Sequence, residues 1–174
     1  MARPNHPAFQ RFFNDRRGVA AIEFALVALP LFALIFGIIE VSLMFFVDAS
    51  LDASLKKVSR SIRTGQVAAS GAPLVAFKSK ICGEMSLLFD CESNLLVRVV
   101  VISDLASINS TNPISASGAL TVNEVFNPGK TSDYVLVQGF LPWSAVSLFT
   151  LSNARLSDGR YLLGSAVLFR NEPF

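Results

Sequence analysis

Between Phe24 and Ile39 the chain carries no charged residue, and after Glu40 the apolar character resumes through Val41, Leu43, Met44, Phe45, Phe46 and Val47. A helix from Phe24 to Val47 would be about 36 Å long at roughly 1.5 Å per residue, enough to cross a hydrocarbon core of about 30 Å once. Pro30 lies inside this stretch, where it removes a helical hydrogen bond and predicts a bend of the kind membrane helices tolerate. Beyond Val47 the pattern changes rather than stops. Leu51, Leu55, Val58 and Ile62 recur at steps of four, three and four, so the helix is expected to continue as an amphipathic extension through Arg63. Lys56, Lys57, Arg60 and Arg63 crowd the last turns, where cations suit the negative end of the helix dipole, and Gly65 is the expected stop. The cations read as a solvated face, with a phospholipid-binding patch as the alternative.

Further along, residues 73 to 90 predict a short second helix, from Pro73 through Leu74, Phe77, Ile81, Leu87 and Leu88. Leu95 to Ile102, Tyr134 to Phe140 and Tyr161 to Phe169 are strand candidates. Between them, Ser103 to Thr121 is rich in serine, asparagine and glycine, and Asn127-Pro128-Gly129-Lys130 is a turn signal. The fold class that follows is α+β: a long N-terminal membrane-spanning helix continuing into an amphipathic helix, then a small head domain with an antiparallel β-sheet packed on it. The expected organisation is a basic leader over 1–18, the span over 19–47, the extension over 48–65 and the head over 66–174. Trp143, beside Pro142, reads as a core or sheet-edge aromatic before it reads as a binding anchor.

Charge is unevenly placed. The leader carries Arg3, Arg11, Arg16 and Arg17 against Asp15, which more than accounts for the whole-chain charge of +2 and leaves the remainder close to neutral. That balance argues against a nucleic-acid partner. By the positive-inside rule the arginines predict a cytoplasmic amino terminus and an exported head, although the cations after the span weaken the asymmetry. The competing reading of the span is a secretory signal peptide cleaved after Val47-Asp48-Ala49, before Ser50. The apolar stretch is longer than the roughly 7 to 15 residues of a signal core and contains Glu40, which speaks against it. Arg16-Arg17 also lacks the remainder of a twin-arginine export signal. Glu40 reads as a carboxylate reaching interfacial water, with a paired functional carboxylate as the alternative. Ala21 with Ala25, and Ala33 with Gly37, have the spacing that lets helices approach closely, though such pairs are frequent in apolar sequence.

The chemically informative segment is Arg16-Arg17-Gly18-Val19-Ala20-Ala21-Ile22-Glu23-Phe24. One carboxylate at the mouth of an apolar helix is costly in lipid, about 2.5 to 3.5 kcal/mol on insertion scales, and so points to a defined partner or depth. Gly18, four residues, then Glu23-Phe24 resembles the cleavage motif of type IV prepilin-like proteins in its tight-adherence form. Extended through Ala25-Leu26-Val27-Ala28-Leu29-Pro30 and Gly37-Ile38-Ile39-Glu40, the stretch resembles the TadE-like family of minor pseudopilins. The resemblance covers roughly residues 16 to 63 and says less about the head. It implies a bacterial inner-membrane, single-pass protein with its head in the periplasm, cut between Gly18 and Val19 by a prepilin peptidase and pilus-associated after processing. It also implies partners among other pilins or pseudopilins and the tight-adherence secretion machinery. Cleavage would free an amino group on Val19 close to Glu23, and a neighbouring subunit could present its own amine to that carboxylate, giving Glu23 a role in subunit pairing and register.

Cys82 and Cys91, on the expected exported side and with no competing cysteine, read as one disulfide, with free thiols as the alternative. A metal site is not expected, because His6 is the only histidine and lies in the leader. No hydrolase, phosphate-loop or zinc motif occurs, so no catalytic residue and no cofactor is expected. The rival to a processed pseudopilin is an unprocessed, single-pass anchored periplasmic binding or scaffold protein. A membrane-tethered hydrolase would need a polar cleft with perturbed side chains. Asn109-Ser110-Thr111 fits a glycosylation sequon and carries no information in a bacterial setting.

Overall fold

A computed structural model describes residues 18–67, 73–85, 90–103, 112–144 and 156–174. Residues 1–17, with His6 and the leader arginines, lie outside the described residues, as do Leu87, Leu88 and Asn109-Ser110-Thr111. The element order is α1 (Val19–Arg63), α2 (Leu74–Glu84), α3 (Cys91–Asn94), β1 (Leu96–Ile102), β2 (Tyr134–Trp143) and β3 (Tyr161–Arg170). This is the expected α+β class. The chain divides into two compact units, one ending at Ile39 and one running from Glu40 to Phe174.

In the first unit, α1 continues through Pro30 as one helix. Its apolar side chains are exposed around the whole circumference: Phe24 is 71% exposed and Leu29 73%, and no part of its most apolar window is buried within the protein. A helix apolar on every face, with no described residue packed against its most apolar window, is suited by length and composition to cross a membrane.

The second unit is built on the opposite logic. Val47, Leu51, Ser54, Leu55, Val58, Ser59 and Ile62 form one buried face of α1, including all four positions expected from the periodicity. The sheet has the order β1-β2-β3, antiparallel throughout. Its inner face, carrying Val97, Val99, Val135, Val137, Leu141 and Leu163, joins that helix face in one core with Phe77 and Ile81 of α2. The helix and sheet approach closely at Gly139, where an added Cβ would stand 3.4 Å from Leu55 Cδ1. Ser165 of β3 donates to Asp52 at 2.8 Å. α1 ends with Gly65 at φ 76, its N–H on Ile62 O, the left-handed residue that terminates a helix cheaply. Glu172 N–H then takes up Arg63 O, one of the carbonyls a helix end leaves orphaned.

Two elements differ from expectation. α2 stops at Glu84, before the expected 90, because Met85 turns extended (ψ 154) and buries its side chain while its N–H still bonds Ile81 O and Cys82 O. β2 runs past Phe140 through Pro142 to Trp143. Pro142 is tolerated because β1 pairing ends at Leu96↔Phe140, so the side of β2 that a residue-142 N–H would face has no strand there. Trp143 packs partly buried against the core.

Candidate processing and assembly site

The site begins with the glycine that precedes α1. Among the described residues four glycines have positive φ, namely Gly65, Gly118, Gly129 and Gly159, and there the backbone itself favours glycine. Gly18 is not among them, and a Cβ built on it meets nothing within 4 Å. Nothing in the described structure requires glycine at 18.

α1 starts at Val19, which places Glu23 one turn further on and on the same face. Val19 is 45% exposed, and Ile22 and Phe24 are exposed as well. Glu23 has no acidic or basic neighbour in the first turn. An i, i+4 pair on a helix brings side-chain groups to about 5–6 Å between Cβ atoms. A cationic group arriving at the Val19 end, from this chain or another, therefore finds Glu23 within ion-pairing reach. Ala21 and Ala25 line a shallow apolar recess with Ile22, Leu26, Leu29 and Pro30 beside this face. Glu40 is half-buried, with Oε1 enclosed and without a hydrogen-bond partner among the described residues.

The basic cluster at the end of α1 is largely neutralised within the chain. Lys56 meets Asp52 at 2.6 Å, Lys57 meets Glu84 at 2.6 Å, and Arg63 meets Glu172 at 3.1 Å. Lys56 and Ser165 hold the Asp52 carboxyl below its ordinary value by donating hydrogen bonds to it. Asp158 is likewise lowered, by Arg160. These pairings match a solvated face better than a patch awaiting anionic lipid.

Cys82 and Cys91 are joined as a disulfide, with Cα atoms 5.6 Å apart, linking α2 to α3. Met85 Sδ lies 3.7 Å from Cys91 Sγ in the same buried corner. A recess of about 190 Å³ lies over the outer face of the sheet, where Arg98, Gln138 and Phe140 face Asn112, Thr121 and Asn123. It collects amides, one cation and an aromatic ring, with no carboxylate, thiol or imidazole in its lining. Among the described residues no three of His, Cys, Asp and Glu converge as a metal site.

The long-range links that finish the head leave no local pattern along the chain. Glu124 accepts from Lys78 Nζ and from Val97 N–H, and Asn171 donates to Pro128 O and Lys130 O. Each joins positions too distant along the chain for local pattern to reveal.

No curated protein and no solved structure matches the chain. Residues 18–60 match the family model described as TadE-like protein, and that match opens at Gly18, spans Glu23, Phe24, Pro30 and Glu40, and leaves most of the head outside it. Over this segment the chain is similar to the TadE-like family that its motif resembles, a family that implies involvement in tight-adherence pilus systems.

Proposed function

We propose that this protein is a minor pseudopilin, cut between Gly18 and Val19 by a prepilin peptidase on the cytoplasmic face of the inner membrane. It then supports assembly of tight-adherence pili, without catalytic activity of its own. The observation that carries this reading is the coincidence of boundaries: the family match opens at Gly18, α1 opens at Val19, and Glu23 follows within the first turns. Among the described residues nothing requires the glycine, and a protease cleft that admits only a small residue would supply a reason for it.

Cleavage changes the electrostatics of the helix start. The new ammonium on Val19 sits at the positive end of the α1 dipole, which is unfavourable, and Glu23 offsets it from one turn away. In an assembly, the same carboxylate accepts the ammonium of the adjacent subunit. Helices can then slide past one another only at the cost of an unpaired charge in an apolar environment. Glu23 thus sets axial register, while the surrounding apolar surface supplies contact without direction.

The test is Glu23→Ala in the full chain. Membrane insertion and cleavage are expected to persist, because the span gains hydrophobicity and Gly18 is untouched, while piliation and surface attachment are lost. Normal piliation with Glu23→Ala would overturn the pairing role.

A further inference from the structure

The two edges of the head's sheet are finished differently. On β1, the outward-facing backbone groups belong to Val97, Val99 and Val101. Val97 N–H donates to Glu124 Oε1 at 3.0 Å, Val99 N–H donates to Val125 O at 2.7 Å, and Asn127 N–H donates to Val99 O at 2.9 Å. Lys78 holds Glu124 in place at 2.9 Å. From Val97 to Val99 this edge is covered.

On β3, the bond from Asn171 N–H to Asp133 O and the register of the ladder fix the parity. Antiparallel partners exchange both bonds at every second residue, so the backbone groups of Leu162, Gly164, Ala166, Leu168 and Arg170 point away from β2. No described residue pairs with them. Gly164 and Ala166 are exposed, and Leu168 is 41% exposed. Natural edge strands are usually shortened, bulged, or guarded by lysine or proline. This one is ten residues long and carries no lysine, proline or acidic residue.

We propose that the β3 edge is a docking surface for an extended segment of a different protein, added as a fourth strand. The segment is uncharged where it faces Gly164 and Ala166 and bears a carboxylate where it passes Arg170. Charge identifies the partner's chemistry. Arg170 is held at the end of the edge by its Nε–H bond to Ser132 O and by its position over the Tyr134 ring, 5.7 Å from the centroid. Unlike Lys56, Lys57, Arg63, Lys78 and Arg160, it meets no carboxylate among the described residues.

Geometry argues against a second copy of this chain. Asp52 meets Ser165 and Arg63 meets Glu172, so α1 and β3 advance in the same direction. An antiparallel pair of β3 edges would run the two Asp52–Arg63 segments in opposite directions, and β3 itself carries no acidic residue to meet Arg170 in such a pair. A parallel pairing of β3 with another copy's β1 meets the edge that Glu124 to Asn127 already occupies. Strand addition by another protein needs neither arrangement, and main-chain bonds supply its affinity. The surface exists whether or not the Gly18–Val19 bond is cut.

The experiment places a photo-crosslinking aromatic residue at Leu168 in the full-length chain in its native cells and identifies the captured peptide by mass spectrometry. The expected product joins one extended segment of another protein, with an acidic residue in reach of Arg170. Ala166→Pro removes an outward N–H without touching the β2 ladder, and Ala166→Lys guards the edge with charge; each is expected to lower the yield about fivefold or more. Head resistance to protease should stay unchanged, and Ala166→Lys carries the test if the proline variant loses it. Capture of a second copy through β3, a yield indifferent to the edge variants, or no adduct would overturn the proposal.

Discussion

The two units solve opposite problems with similar residues. Up to Ile39, phenylalanine and leucine side chains are exposed on every face, and the information lies in a few exceptions: Gly18, Glu23 and Pro30. In the unit from Glu40 onward, one set of such side chains is buried in a core shared by α1, α2 and one face of the sheet. Phe32 is 52% exposed, whereas Phe77 is 1% exposed and meets the Phe126 ring in a tilted pair with centroids 5.4 Å apart. Hydrophobicity thus means solvent choice in one unit and packing in the other. It follows that substitutions in the first should change processing and assembly, and those in the second should change stability.

The sharpest break of this contrast is Gly18→Leu. It is expected to abolish the mature form, read as the mass of the membrane-extracted protein, while the head unfolds at the same denaturant concentration. Next, Phe77→Ala should cost the head about 3–5 kcal/mol in denaturant unfolding, through lost burial and the cavity left behind. The matched Phe32→Ala should leave the head unchanged; an equal effect of both would erase the distinction. Replacing Cys82 and Cys91 together with alanine should cost about 2–3 kcal/mol, the scale for closing so short a loop in the unfolded chain. Asp52→Asn has the smallest effect, about 0.5 kcal/mol, because the Lys56 pair is exposed and screened. The Asp52 carboxyl is held below its ordinary 3.8, so its contribution is present above that pH and fades as pH falls through the depressed value. Thermal melts of the wild type and Asp52→Asn should therefore converge in acid and differ near neutrality.

The helix suited to span a membrane was legible because lipid imposes a one-body rule: a run of apolar residues suffices, and Glu23 stands out against it. The helical extension was legible for a related reason, since Leu51, Leu55, Val58 and Ile62 share a face by their spacing alone. Strand centres were readable from valine-rich runs, but their ends were not. The extension of β2 through Pro142 depends on where β1 stops, a fact held by another part of the chain. The end of α2 depends on the burial of Met85 rather than on a local stop signal. Glu124, Asn171 and the unequal sheet edges were invisible for the same reason. In the site, Gly18 was legible as a motif, while the open space around it among the described residues is a property of the fold.

The most direct test of the central claim is the amino-terminal sequence of the membrane-extracted protein from cells with and without the prepilin peptidase. The account predicts a start at Val19 that depends on the peptidase. A start at Met1 or Ala2 in both strains would contradict it and leave an unprocessed anchor, and a start at Ser50 would contradict it in favour of an ordinary signal peptide.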